Sequence, residues 1–155
     1  MALQTKPFFV PQKEVDLFDS LNEELIDGIL NQYVDIYKVS MDETSENVYG
    51  ESSQKFFDRG YRVNCLISFE QTTNLDEAGS DLMSNIELFF HRTSLAEAGF
   101  FPEIGDIVDW NEFYFEINSI TEPTLIAGYP EFKHEIQATA HKIRGSQLQI
   151  EKRPR

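Results

Sequence analysis

The chain has 155 residues and a net charge of −14, with 41% hydrophobic and 13% aromatic residues. This length suits one compact domain with a real core, and the aromatic content excludes a chain that is disordered throughout. No apolar run reaches the roughly 20 residues that cross a bilayer, and no basic-then-apolar leader opens the sequence, so a cytosolic protein is expected.

The charge is unevenly distributed along the chain. Of the 13 Lys and Arg, six lie in residues 133–155 with two of the 27 acids, which leaves seven bases and 25 acids for residues 1–132. A region with so large an excess of acids repels nucleic acid. Two interpretations stay open: the charge keeps the protein soluble, or it forms a polyanion-repelling surface whose basic tail docks on an acidic neighbour.

The N-terminal part divides into an arm and a helix. Residues 1–13 are an arm punctuated by prolines, which fits either a loose terminus or a docking arm. Residues 16–30 predict an amphipathic helix with an acidic polar face. We expect its apolar stripe to pack on the core, with partner binding as the alternative. The stripe contains Val15, Leu17, Phe18, Leu21, Leu25, Ile26 and Ile29.

The remaining elements are mostly strands. Alternating patterns predict strands over residues 33–40, 61–69, 81–92 and 132–143, and long loops over 41–53 and 71–80. The lone Cys65 falls in the alternating series of the second strand, as a core thiol would. Residues 93–99 predict a short helix with Ser94 as N-cap and Gly99 at its end.

A hairpin over residues 103–120 is the clearest local signal. Its turn is predicted from Asp109, Asn111 and Glu112, and Gly105 precedes the first strand where a positive φ is needed. Trp110 fits core burial or an interface. The predicted framework residues of the hairpin are Gly105, Asp106, Phe113, Phe115, Glu116 and Ile117.

These elements predict a mainly β fold, an antiparallel β-barrel or sandwich of about six strands with an N-terminal α-helix and extended terminal arms. The expected organisation is an N-terminal arm at 1–13, a single β-rich domain at 14–145 and a basic tail at 146–155.

Known catalytic and metal-binding patterns are not found in the sequence. The three histidines are not spaced to share a metal, and the acidic run at 42–46 lacks the ordered oxygens and glycine of an EF-hand loop. A Ser-His-Asp order, a phosphate-binding loop, a dinucleotide fingerprint and a CxxC pair are all missing. We therefore expect no enzyme, no catalytic residue, no metal and no cofactor.

The hairpin also resembles a known family. Residues 105–110 read Gly-Asp-hydrophobic-hydrophobic-x-aromatic, and residues 113–117 with Glu122-Pro123 read [FY]-x-[FY]-E-I followed by E-P. This pattern is similar to the neck protein (head-completion or head-closure protein) of contractile-tailed bacteriophages. The order of the segments at 34–39, 47–51, 55–59, 61–69 and 83–90 agrees with it, so the resemblance covers about residues 33 to 123.

The resemblance implies a virion structural protein made in the host cytoplasm and placed at the neck. Such proteins form homo-oligomeric, typically sixfold, rings that bind the portal or adaptor protein and the tail terminator protein and help close the DNA exit. Genomic DNA passes without specific binding, and no membrane is involved. Loops 41–53 and 71–80 are candidates to line the channel. The interface candidates are Phe8, Phe9, Val10, Trp110, Arg144, Arg153 and Arg155.

Two alternatives remain open. Another ring of the same machine, a tail terminator or an adaptor, would carry similar features. A small soluble ligand-binding module would use exposed aromatic side chains with nearby acids.

Overall fold

In the part of the chain that the structure describes, alternating apolar and polar residues fold into seven antiparallel strands beside an N-terminal helix. A computed structural model describes residues 12–39, 57, 60–76, 79–122 and 132–143. Helix α1 (Gln12–Glu23) runs into a π-helical segment (Glu24–Leu30), and helix α2 spans Arg92–Ala98. The strands are β1 Tyr33–Tyr37, β2 Tyr61–Asn64, β3 Leu66–Asp76, β4 Gly79–His91, β5 Ile107–Trp110, β6 Phe113–Thr121 and β7 Glu135–Ile143.

The order of the strands makes the sheet curl on itself. They lie in the order β2-β1-β5-β6-β7-β4-β3, and each strand is antiparallel to its neighbours. Because only Cys65 separates β2 from β3, the two edge strands are consecutive halves of one long strand. The N–H of Cys65 donates to the carbonyl of Gln32 at 2.9 Å. Chain continuity therefore brings the two edges of the sheet together.

The inward face of the curled sheet forms a single hydrophobic core. Cys65 is fully buried there, and burial raises the pKa of its thiol to about 12. The prediction of a mainly β, antiparallel, barrel- or sandwich-like fold with an N-terminal helix is confirmed, although the described strands β2 and β3 are not paired with each other. The core residues come from the strands, from α2 and from the segment after it: Val34, Ile36, Val63, Cys65, Ile86, Leu88, Phe90, Leu95, Phe100, Val108, Phe115, Ile117, Ile136, Ala138 and Ala140.

Two predicted boundaries are wrong. The loop expected at 71–80 is largely strand, since β3 continues to Asp76, β4 begins at Gly79, and the two pair along their whole length. Cross-strand pairing satisfies the backbone of this mostly polar stretch, in which Asn74, Asp76, Glu77 and Gly79 predict a loop. The helix expected from residue 16 begins at Gln12. Residues 1–11 of the arm predicted at 1–13, the loop at 41–53 and the tail at 146–155 lie outside the described residues.

The predicted hairpin is confirmed as β5 and β6. Trp110 pairs with Phe113 across a two-residue turn, in which Asn111 and Glu112 have φ of 51° and 68°. Two successive positive φ angles are typical of a type I′ turn, whose twist matches that of paired strands. Asp109 was predicted in the turn but belongs to β5, where it pairs with Tyr114.

The entry to the hairpin is built around Gly105 and Asp106. Gly105 has the predicted positive φ, 96°, and its N–H donates to the carbonyl of Ile117 at 2.8 Å. The Asp106 side chain is buried, and its Oδ2 accepts the Glu103 N–H at 2.8 Å. Burial raises the pKa of the Asp106 carboxyl. Asp106 thus closes the turn from the inside while Gly105 supplies the backbone conformation.

Substituting Gly105 by Val should weaken this entry through backbone strain alone. A Cβ at Gly105 would meet no atom within 4 Å, but a β-branched residue resists a φ of 96°. We expect Gly105→Val to lower the free energy of unfolding by about 1–3 kcal/mol. Urea denaturation followed by far-UV circular dichroism would measure it.

Gly28→Ala is the matched control for that experiment. Gly28 lies in the helical segment, and a Cβ added there would be in ordinary contact with the Glu24 side chain at 3.8 Å. Alanine should stabilise the chain by about 0.5–1 kcal/mol at this position. Equal effects of the two substitutions would contradict strain as the role of Gly105.

Candidate docking surface

The N-terminal helix exposes a row of large apolar side chains, which we call the helix stripe. Its members are Leu17 (56% exposed), Phe18 (55%), Leu21 (52%), Leu25 (40%) and Ile29 (69%). Single exposed apolar residues are normal on protein surfaces, but a contiguous row of them marks an interaction site. The expectation that the whole stripe packs on the core is therefore wrong for these five residues.

A second line of residues on the same helix faces the body of the protein. Val15 and Ile26 are buried, and Asp19 and Asn22 lie between them at helical spacing. Residues 15, 19, 22 and 26 follow the i, i+4, i+7, i+11 pattern of one helix face, so the helix stripe lies on the flank beside it. Two buried apolar residues are thus enough to hold on the body a helix that carries eight large apolar side chains.

Hydrogen bonds fix the orientation of the helix. Asp19 Oδ1 lies 2.8 Å from Nε2 of His91, and Asp19 Oδ2 accepts from the Thr93 hydroxyl at 2.9 Å. Further along the helix, Asp27 Oδ2 accepts from Ser94 Oγ at 3.1 Å. The side chain of His91 is buried at the end of β4. Because hydrogen bonds are directional, these contacts hold the helix face with Asp19 and Asp27 against the body and leave the helix stripe on the outside.

His91 also shapes the start of helix α2. The sequence predicts Ser94 as its N-cap, but the cap is His91, whose Nδ1 accepts the Ser94 N–H at 3.3 Å. Ser94 Oγ lies 2.9 Å from the same nitrogen. A side-chain acceptor other than Ser, Thr, Asp or Asn can satisfy a first-turn N–H, and no standard capping pattern reveals it. The predicted helix end at Gly99 is confirmed, with φ of 64°.

Ser94, His91 and Asp19 therefore form a connected chain of polar groups, which the order of residues in the sequence does not reveal. In this series of polar groups, Nδ1 of His91 accepts the Ser94 N–H, and Ser94 Oγ donates to Asp27 Oδ2. The same groups join α2 and the end of β4 to the N-terminal helix. Their geometry serves to tie three elements together.

A cleft of about 300 Å³ lies between the N-terminal helix and the sheet. It is bounded by Asn22 and Ile26 on the helix side and by Phe89 and His91 on the sheet side. The Nδ1 of His134, another lining residue, is buried without a hydrogen-bond partner among the described residues. The helix therefore contacts the body through a few residues and leaves this cleft between itself and the sheet.

The charges around the helix stripe are strongly acidic. Residues 12–30 contain six acids and one base. The acids at positions 14, 16 and 24 are exposed, and those at 19, 23 and 27 are partly exposed. The surface therefore combines apolar side chains with negative charge, and a partner that covers it has to offer apolar and basic groups together.

The predicted hairpin residues are brought together, and their surroundings differ. Phe115 and Ile117 are buried in the core, whereas Phe113 is 45% exposed beneath Lys142 Nζ, which lies 3.6 Å from the ring centroid. Trp110 is partly buried against the core, with its ring centroid 5.8 Å from that of Phe69. Glu116 is partly exposed.

The other predicted interface residues, Phe8, Phe9, Val10, Arg144, Arg153 and Arg155, lie outside the described residues. Within the part of the chain that the structure describes, no helix is long and apolar enough to span a membrane. The described side chains also include no group of three or more His, Cys, Asp or Glu placed to hold a metal ion.

Comparison with known proteins identifies no family. No protein-family model matches the chain, and no curated protein matches it. Five chains of solved structures match. One of them belongs to a structure described as the virion of a native gene transfer agent particle; it is 11% identical, with a TM-score of 0.47, over 73% of this chain and 94% of that chain.

Removing Asp19 should loosen the helix from the body. Asp19→Ala leaves the buried Nε2 of His91 without its acceptor, and an unsatisfied buried donor costs about 1–3 kcal/mol. Thermal and urea unfolding would measure the loss. The control is Asp16→Ala, which removes an exposed carboxylate bonded to Gln12 on the same helix and should change stability by less than about 0.5 kcal/mol. Equal losses of stability in the two variants would contradict the role of Asp19 in holding the helix on the body.

Proposed function

We propose that this protein is a virion structural protein that forms a homo-oligomeric ring at the neck of a contractile-tailed bacteriophage. The ring would join the DNA-filled capsid, through the portal or adaptor protein, to the tail terminator protein and the tail. It would also help close the DNA exit channel. The proposal assigns no reaction, cofactor or metal to the chain.

The observation that carries the proposal is the exposed helix stripe. Five large apolar side chains stay in solvent in the single chain, although the same helix has polar groups that face inward. Assembly proteins leave such faces uncovered until a neighbouring subunit buries them. The neck position itself comes from the resemblance of residues 33–123 to the neck proteins.

Charge supports the same role. Residues 1–132 carry 25 of the 27 acids and seven of the 13 bases. Neutralising phosphates with bound cations would hold DNA in place, whereas an acidic ring lets a polyanion pass without adhering. A sixfold ring of such chains would present a strongly negative surface to the DNA exit.

The buried polar chain through His91 has a structural role in this proposal. Its bonds to Asp19 and Ser94 orient the surface that assembly needs. A change at Asp19 should therefore act on assembly through the position of the helix.

A ligand-binding module is the second candidate, and the cleft beside His134 is the observation that favours it. Its volume of about 300 Å³ is at the lower end of the range of small-molecule sites. A monomeric chain whose melting temperature rises with an added ligand would support this candidate.

Electron microscopy of infected-cell lysates tests the neck assignment directly. The comparison is between phage lacking a functional copy of this gene and the same phage complemented with it. Unjoined or leaking DNA-filled heads beside finished tails are expected. Normal joined particles would overturn the assignment, and finished heads with tails of abnormal length would indicate a tail terminator.

Leu21→Glu tests the helix stripe without disturbing the core. Because Leu21 is 52% exposed, the monomer should keep its stability within about 0.5 kcal/mol, while a charge in the contact should weaken assembly. Sedimentation velocity would measure assembly of the purified chain, and complementation would measure phage yield.

Ile104→Glu is the control, since Ile104 is 67% exposed and belongs to the turn before β5 and not to the helix. It should leave assembly unchanged. Loss of assembly in both variants, or in neither, would contradict the assignment of the helix stripe as the interface.

A further inference from the structure

We infer that the helix stripe is the receptor for the basic segment 144–155 of a neighbouring copy of this chain. The inference rests on the proposed function, since it takes the protein to be ring-forming, and it adds which two surfaces meet. Both surfaces are present in one sequence, so no other protein is needed to form the contact.

The two surfaces are complementary in charge and in apolar pattern. Residues 12–30 hold six acids and one base, and residues 144–155 hold four bases and one acid. Within that basic segment, Leu148 and Ile150 are two residues apart and would lie on one face of an extended chain. Bound in that conformation, the segment would place both on the helix stripe and its Lys and Arg side chains against the acids that border it.

Two other occupants from the same chain fit less well. A second N-terminal helix would bring six acids against six, and like charges that face each other in a contact repel. The arm at 1–11 offers Phe8, Phe9 and Val10, but its single charged side chain, Lys6, cannot balance the acidic border.

The position of strand β7 favours a contact between copies over a contact within one copy. The N-terminal helix is tied to His91, which pairs with Glu135 at the beginning of β7. The basic segment leaves after Ile143, at the other end of that strand. Eight residue steps of about 3.3 Å separate these ends by about 26 Å.

The same spacing limits what the chain's own tail can reach. Leu148 and Ile150 lie five and seven residues beyond Ile143, so even a fully extended chain carries them only about 17 and 23 Å. Both distances are shorter than strand β7, so the segment would not bring these residues level with the Asp19 end of the helix in their own copy. A neighbouring copy has no such restriction.

A contact in which the segment of one copy binds a different surface on the next copy is head-to-tail. Head-to-tail contacts generate a closed ring when the rotation between subunits closes, and a filament when it does not. The inferred contact therefore has the symmetry that a ring requires, and each subunit both donates one segment and receives one.

Charge reversal on the full-length chain tests the inference. One variant carries Arg153→Glu and Arg155→Glu in the segment, and a second carries Glu14→Lys and Glu24→Lys on the helix. Each alone should weaken self-association at low salt by about tenfold or more, because the reversed charges repel an unchanged partner. Sedimentation velocity over a concentration series would measure association.

Mixing the two variants distinguishes contact between copies from contact within a copy. In an equimolar mixture each reversed segment meets a reversed helix on the other variant, so association should return towards the wild-type level. A mixture that stays as dissociated as its components overturns the inference. So do unchanged association in either variant, and loss of association only on deletion of residues 1–11.

The matched control reverses two exposed acids outside both helices, with Glu70→Lys and Glu112→Lys, and should associate as the wild type does. Circular dichroism of all variants verifies that they fold. If the charge reversals do not change self-association, this inference is overturned. The neck assignment is then still tested by the lysate experiment. Normal joined particles in lysates, with association restored by mixing, would remove the neck assignment and leave the contact intact.

Discussion

The fold depends on the continuity of the long strand that contains Cys65. Its first half pairs with β1 and its second half with β4, which lie far apart in the order of the sheet. A single covalent chain cannot satisfy both ladders unless the sheet curls around a shared core. Gly60 directly precedes this strand and lies close to Tyr37, where a Cβ would come within 2.8 Å of the ring, so the close approach favours glycine.

The curled sheet determines what the N-terminal helix can bury. The core is already filled by side chains of the strands, α2 and Phe100, and the helix adds only Val15 and Ile26 to the buried residues. Carboxylates of Asp19 and Asp27 provide the rest of the contact by bonding to the region around His91. Since directional bonds replace apolar burial on the inner side, the greater part of the apolar surface of the helix stays on the outside.

Sequence patterns predict the elements whose partners are local and leave open those whose partners are distant. The hairpin at Asn111 and Glu112 and the alternating burial of Val34 and Ile36 follow from turn chemistry and from a period of two. Periodicity shows which residues share a face and not what covers it, so it could not place the helix stripe. The apolar positions of that helix span about half its circumference, which is the available sign that they serve two surfaces.

The two elements that were wrongly predicted have specific causes. The cap of α2 by His91 depends on a hydrogen bond between His91 and Asp19, which lie 72 residues apart in sequence. The mostly polar stretch at 71–80 becomes strand through pairing across the β3–β4 hairpin.

That hairpin has a consequence for how the chain can vary. Among the described residues, strand β4 pairs with β7 only from Asn85 onward, whereas its pairing with β3 continues to Gly79. Residues 71–76 and 79–84 therefore form a two-stranded ribbon that extends past the other strands that the structure describes. Because side chains alternate with a period of two, adding or removing two residues in each strand would change the reach of the ribbon without shifting any core residue. Evolution can thus adjust the length of this projection independently of the fold that carries it.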